Sequence, residues 1–419
     1  MKRIAFFGPL NPIHSGVSDY DEELLPLLRE EYQIDVFTDS ETHRPSAFHH
    51  GQFYFKQRRR PYDLILYQMG NSLFHEYMYG YLFHFPGAIV FHDYCLHQSR
   101  ATMLLRKGLV QEYMEEAKLA HLQGAAIGQT VASAIFSELY FYYFPFVRLL
   151  LMSALAAAAH TEIVAKKLQV TDTPVIHIPM AVRTEPRQPF RDPFPGKLVL
   201  ASFGLATRAK RIPEILPAIA RLARRHDNLL YLIVGDVGHH LHLEEEIRQR
   251  GMQDLVHVTG HVEREEFQEF MNRADIILNL RYPSAGEMSA TMLRAMSCEK
   301  PVLVSRLEYL QEIPRDVVLR VRPNHELEDI YNHLETLIPD PGLRGRLGAA
   351  AKNYIETHHR PEQMTDGYKK LIELGLQRKG KFRPPELPLH LQSGREILVD
   401  YLERTSFSGM SADLLEWIL

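Results

Sequence analysis

The sequence predicts an α/β protein of two doubly wound domains. Three observations carry that reading. Short runs rich in Val, Ile and Leu alternate with amphipathic helical stretches along the chain. The runs fall into two sets, separated by a proline-rich stretch. The length of 419 residues holds two or three domains at roughly 100–200 residues each. Near-continuous apolar runs suit parallel strands, because crossover helices cover both faces of such a sheet.

In the first set the strand-like runs are Arg3–Phe7, Ile34–Thr38, Leu64–Gln68 and Ala88–His92. In the second they are Leu198–Phe203, Leu230–Val234, Val256–Thr259, Ile276–Leu280 and Val302–Ser305. Gly, Asp and Pro bound these runs, and helical period fills the gaps, as in IPEILPAIARLARRH and EREEFQEFMNRA. Four prolines without periodicity mark Arg183–Lys197 as an interdomain linker. The expected division is a first domain over 1–182, a linker over 183–196 and a second domain over 197–360. An extension covers 379–419, with a Pro-rich connector from Gly380 and amphipathic helix over Ser393–Leu419.

The composition is ordinary for a globular protein, 45% hydrophobic and 24% charged, which excludes disordered and collagen-like chains. With 48 Lys+Arg against 52 Asp+Glu, the net charge of −4 gives no bulk reason to bind nucleic acid. Cys95 and Cys298 lie far apart, outside any CxxC, so neither a disulfide framework nor a zinc ribbon is expected. A reducing, cytoplasmic setting is the default. The N-terminal apolar run ends too soon for a signal peptide. Leu139–Ala159 is long enough to span a bilayer, but Pro145 and Arg148 interrupt it. A buried or interfacial helix pair is expected there, and the sharper version is a patch touching a lipid surface at the inner membrane face.

In open α/β sheets, ligands bind beyond the strand C-termini. Gly16 follows the first strand and is expected to free the backbone for a ligand, with Ser18 or Asp19 capping the next helix. Asp19 and Asp21 form a D-x-D, which reads as helix-start acids rather than a metal motif. His92 ends the fourth run and suits hydrogen bonding near neutral pH; it serves equally as a core histidine. Arg208 and Lys210 open a helix after Leu198–Phe203, where a diphosphate or plain solvent would both suit them. Gly235 and Gly260 end two further runs. His239, His240 and His242 crowd together without the spacing of a closed metal site. The densest polar cluster is RYPSAGEMSATMLRAM. Arg281 leads it, Glu287 offers an acceptor for hydroxyls, and Ser289 and Thr291 open a helix. A plain capping turn would also explain it.

These residues resemble a known family. FGLATRAKR, VGD, VTGH, ADIILNLRYPSAGE and LRAMSCEKPVLVS follow one another as in retaining glycosyltransferase family 4, of the GT-B fold. SGVSDY and FHD resemble that family's loops in the first domain. The resemblance covers about residues 1–378. It implies two Rossmann-like domains facing a cleft, with a helix over 361–378 crossing back to the first. It implies transfer from a nucleoside diphosphate sugar to a hydroxyl acceptor, a glycan or lipid-linked glycan, with retention and without cofactor or metal. Lys210 would hold the diphosphate, aided by Arg208 or Arg281. His92 and Glu287 would act at the sugar, and Gly16, Gly235, Gly260, Ser289 and Thr291 would line the donor site.

The chain departs from the family's Glu-x7-Glu motif. Arg294 stands on the second Glu, and Glu287 lies one residue from the first. Leu205 replaces the usual diphosphate Arg. A degenerate, non-catalytic GT-B protein and a nucleotide-sugar epimerase are therefore the rival readings. The lack of GxGxxG argues against a nicotinamide oxidoreductase.

Overall fold

In the computed structural model, residues 1–13, 15–40, 44–134, 138–182, 192–238 and 241–392 are described. They divide into two units. Unit 1 comprises Met1–Ile178, Ala285–Met288 and the chain from Thr365; unit 2 comprises Pro179–Ser284 and Ser289–Met364.

Unit 1 is built on seven parallel strands: β1 Lys2–Phe7, β2 Tyr32–Thr38, β3 Ala47–His49, β4 Leu64–Met69, β5 Ala88–Phe91, β6 Ala156–Ala159 and β7 Val175–His177. Their order is β3-β2-β1-β4-β5-β6-β7. Unit 2 carries β8 Leu198–Phe203, β9 Leu229–Val234, β10 Val256–Val258, β11 Ile276–Asn279, β12 Val302–Ser305 and β13 Leu319–Val321, all parallel. Their order is β10-β9-β8-β11-β12-β13. Both are Rossmann-like, and in each the strand order reverses beside the first strand, between β1 and β4 and between β8 and β11.

The cores follow from the sequence pattern. β4 and β8 are buried along their whole lengths, as expected of strands covered on both faces. In unit 2, Leu200, Tyr231 and Leu278 of the sheet pack with Ile215, Ile219 and Leu222 of the helix Ile212–Ala223 and with Ile330 and Leu334 of the helix Glu326–Leu337. The long helix Pro361–Lys379 joins unit 1 from Thr365 onward. Tyr368 and Leu371 are fully buried there, and Gly375 lies against Leu64. After it, Leu391 is buried and His390 Nε2 lies 2.9 Å from Glu116 Oε1. Ser393–Leu419 lies outside the described residues.

The helix pair expected over Leu139–Ala159 is found in its first part and corrected at its end, which is strand. Two short helices, Tyr140–Tyr143 and Arg148–Ser153, lead into β6, whose four alanines are all fully buried. Alanine favours helix in isolation, but pairing with β5 on one side and β7 on the other overrides that preference. Leu149–Leu151 fill the core below the sheet, which accounts for the hydrophobicity of the segment. Among the described residues no helix is long and apolar enough to cross a membrane.

The β6 alanines are fully buried, so a larger side chain there must displace its neighbours. Ala158→Leu, between Val90 and Ile176 in register, should lower the unfolding free energy by about 1–3 kcal/mol through overpacking, measured by urea denaturation. An unchanged midpoint would show that this strand tolerates bulk.

Candidate functional site

Unit 2 gathers its polar chemistry where β8 and β11 end. The chain leaves β8 at Gly204, whose φ of 81° suits glycine. A Cβ on Gly204 would sit 2.7 Å from Lys210 Nζ. Gly235, at φ 130°, follows β9, and a Cβ there would meet the Gly204 backbone at 2.8 Å. Gly235 in turn bridges Gly260, at φ 72°, after β10. Three strand ends therefore meet through glycine backbones, and Gly235 N–H donates to Thr259 Oγ1 at 3.2 Å.

The turn Arg208–Lys210 curls back over this floor. Lys210 Nζ donates to the Phe203 carbonyl, its one hydrogen-bond partner among the described residues. Tyr282 N–H donates to the Ala209 carbonyl at 2.7 Å, which ties the loop after β11 to the turn. Arg281, whose N–H donates to Ser305 Oγ at 2.9 Å, is thereby placed near Lys210. Burial, followed by the Arg281 charge, lowers the Lys210 pKa to about 7. Arg208 is exposed at the start of the same turn. The next residue, Arg211, turns away and pairs with buried Glu326 at 2.8 Å. The site is thus cationic and half-buried, and it can bind an anion.

The helix Ala290–Ser297 starts beside it in sequence. Ser289 is its N-cap, accepting from Met292 N–H at 3.2 Å and donating to Asn279 Oδ1 at 3.3 Å. Its hydroxyl is occupied, so it serves a ligand best by ordering the helix start, where Thr291 is the second residue. Arg294 sits later on this helix. His239 and His240 lie outside the described residues; His242 begins the helix Leu243–Gln249.

His92, Glu287 and Gly16 belong to unit 1. Ala285–Met288 groups with unit 1, where the Ala285 carbonyl accepts from Cys95 N–H at 2.7 Å and Gly286 lies against Tyr94. Glu287 is thus placed by these neighbours rather than by unit 2. Gly16 is corrected: it is the first residue of the helix Gly16–Leu28 and is not among the positive-φ glycines. The cap is Ser15, not Ser18 or Asp19. Ser15 Oγ accepts from Ser18 N–H, and Ser18 Oγ accepts from Ser15 N–H, a reciprocal capping box that fixes the helix start three residues earlier.

His92 is buried in a network that the sequence did not reveal. β5 and β6 pair Phe91 with Ala159, so the next residues, His92 and His160, fall side by side. His160 Nδ1 lies 3.0 Å from the Ile178 carbonyl, which keeps the proton on that nitrogen. His160 Nε2 therefore accepts from His92 Nδ1–H at 3.2 Å. Burial, then His160 and His75, hold the His92 pKa well below its usual value. Neutral His92 must then turn a lone pair toward the Gln68 side-chain amide, 2.7 Å away. Two acceptors at that distance repel, so the amide presents its NH2 there. Tyr368, from the C-terminal helix, reaches the same amide at 3.2 Å, and Tyr20 reaches Tyr368 at 3.0 Å.

Two predictions follow from these burials. The Lys210 pKa is depressed in the folded chain, so its protonation disfavours folding below pH 7 and this penalty is relieved as pH rises toward the unfolded value near 10. Wild-type stability should therefore rise across that window relative to Lys210→Met, as read by denaturation at pH 6.5 and 9. Parallel pH profiles would contradict the placement of the ammonium. His92→Ala removes the hydrogen bonds that His92 makes with His160 Nε2 and the Gln68 amide and should cost about 1–3 kcal/mol, measured by thermal unfolding.

Comparisons with known proteins fit this geometry. Residues 185–354 match the family model described as glycosyl transferases group 1. An uncharacterized glycosyltransferase of Methanocaldococcus jannaschii is 25% identical over 187 residues, 44% of this chain and 47% of that protein. The alpha-D-kanosaminyltransferase of Streptomyces kanamyceticus is 25% identical over 150 residues, 35% and 38% of the two chains. The chain thus spans less than half the length of either curated relative. Among solved structures, sucrose-phosphate synthase from Thermosynechococcus elongatus superposes with a TM-score of 0.66 at 16% identity, over 89% of this chain and 98% of that one. Anabaena HepE, solved with UDP-glucose, gives 0.61 at 14% identity, over 89% and 100%. At these identities the structures establish the fold alone. The chain has the GT-B fold, and its residues 185–354 are similar to the glycosyl transferases group 1 family.

Proposed function

We propose that the protein transfers a glycosyl unit from a nucleoside diphosphate sugar to a hydroxyl acceptor, with retention of anomeric configuration. The observation that carries this reading is the pairing of Lys210 with Arg281 at the strand-order reversal of a glycosyl transferases group 1 domain. Two cations brought together under partial burial raise the local positive potential, which favours a bound anion such as a diphosphate.

The chemistry asks for charge stabilisation above all. The bond from the anomeric carbon to the β-phosphate oxygen breaks, and negative charge grows on the diphosphate. Lys210 Nζ and the Arg281 guanidinium offset that charge where it develops. The acceptor oxygen attacks from the face the diphosphate leaves, and its proton passes to the departing phosphate oxygen. Position and electrostatics are sufficient for this step, so no metal is assigned to it. The Gly204, Gly235 and Gly260 backbones admit the nucleotide closely, and Arg208 screens the entrance. The roles of His92 and Glu287 rest on the family resemblance; a glycan or lipid-linked glycan is the acceptor class it implies. UDP-glucose, bound by Anabaena HepE, is the first donor to test.

A panel of UDP-, GDP-, ADP- and TDP-sugars should contain one that raises the melting temperature by mass action and releases its nucleotide in the presence of protein. Lys210→Ala should retain the fold and lose at least about a hundredfold in release, the loss typical of removing one transition-state charge partner. Full activity in that variant would sink the diphosphate assignment. Failure of every donor to shift the melting temperature would favour a non-catalytic protein.

A further inference from the structure

A second constellation lies in unit 1, independent of the glycosyl-transfer reading. β2 and β3 are parallel and pair Thr38 with His49. The residues that follow, Asp39 and His50, therefore fall beside each other at the C-terminal edge of the sheet, the edge where α/β folds bind ligands. Among the described residues Asp39, His49 and His50 form the one group of three whose ligand atoms all lie within 4.8 Å of one another.

The spacing of these ligand atoms approaches that of a metal site. His50 Nε2 is 3.2 Å from Asp39 Oδ1. A tetrahedron with metal bonds of about 2.0–2.1 Å has an edge of about 3.3 Å, so this pair spans one edge without rearrangement. His50 is fully buried and its ring is held from several sides. Tyr77 stacks on it at 4.8 Å, and the Tyr77 hydroxyl is itself anchored by donating to the Phe37 carbonyl at 2.9 Å. The Tyr81 hydroxyl lies 3.0 Å from His50 Nδ1 and 3.0 Å from the His50 carbonyl. It can therefore accept from Nδ1–H while giving its own proton to the carbonyl. Nε2 and the Asp39 carboxylate would repel as two acceptors in that tautomer unless a cation lies between them, and an outer-shell acceptor on Nδ1–H is the usual way a metal-ligating imidazole is oriented. His49 Nδ1 accepts from Gly51 N–H at 3.2 Å, so a cation would take up that lone pair in place of the Gly51 bond. Asp39 and His49 are half-exposed, so a cation has access from solvent.

We propose that Asp39, His49 and His50 bind a divalent transition cation of the zinc type. One ring nitrogen from each histidine and one carboxylate oxygen supply three ligands, which leaves a fourth position open to water or an anionic group. Two nitrogen donors and a single carboxylate favour zinc over calcium or magnesium, which prefer all-oxygen shells.

The test uses the full chain, stripped with a chelator and titrated with cobalt chloride as the probe. The expected result is the visible d–d absorption of tetrahedral cobalt, saturating at one equivalent and displaced by zinc. The double variant Asp39→Asn/His49→Gln, whose altered side chains are half-exposed, should keep the wild-type circular dichroism and lose the bands. A variant with His239, His240 and His242 all changed to Gln should keep them. Absence of the bands in wild type, their survival in the double variant, or their loss in the triple variant would each overturn the proposal.

Discussion

Parallel strand register is the constraint on which the rest of the structure depends. In a parallel sheet neighbouring strands end on the same side, so the residues just past each strand converge regardless of their distance in sequence. β8 and β11 are adjacent because the strand order reverses between them. That adjacency brings Lys210 and Arg281, 71 positions apart in sequence, close enough for the charge of one to shift the other. The same rule pairs His92 with His160 across β5 and β6, and Asp39 with His50 across β2 and β3. Glycines at the strand ends extend the effect by letting backbones touch, as Gly235 does on Gly204.

The buried polar groups divide by how they are satisfied. The Arg100–Glu116 pair is enclosed, bidentate and further bonded to His390, which is how buried charges are normally tolerated. Each His92 ring nitrogen is likewise assigned to a neighbour. Lys210 differs. Among the described residues it bonds to a backbone carbonyl alone, with another cation beside it. An enclosed ammonium in that state is a destabilised ground state whose natural remedy is a bound anion, and this contrast separates a ligand site from structural polarity.

Much of the fold was legible because long apolar runs bounded by Gly and Pro leave little choice. Leu198–Phe203 and Val302–Ser305 match the observed strands end to end. The short strands were not legible. Ala156–Ala159 has the wrong propensity, and Ala47–His49, Val175–His177 and Leu319–Val321 are too brief to show a period. Their loss hid two histidine pairings, since His160 follows the hidden β6 and His49 ends the hidden β3. The charged strand-end residues Lys210 and Arg281 were readable because they immediately follow strong strands. The cap at Ser15 was missed because a Ser-x-x-Ser box is a weaker signal than the acidic turn after it.

The central claim is that Lys210 awaits a diphosphate. Its pKa of about 7 makes it largely neutral at pH 8 in the free protein, and a bound diphosphate must draw it back to the charged form. Isothermal titration of UDP into the full chain at pH 8, repeated in buffers of different ionisation enthalpy, measures this directly. The account predicts net proton uptake approaching one per nucleotide bound, abolished in Lys210→Met. Binding without proton uptake, or uptake that persists in that variant, would contradict it.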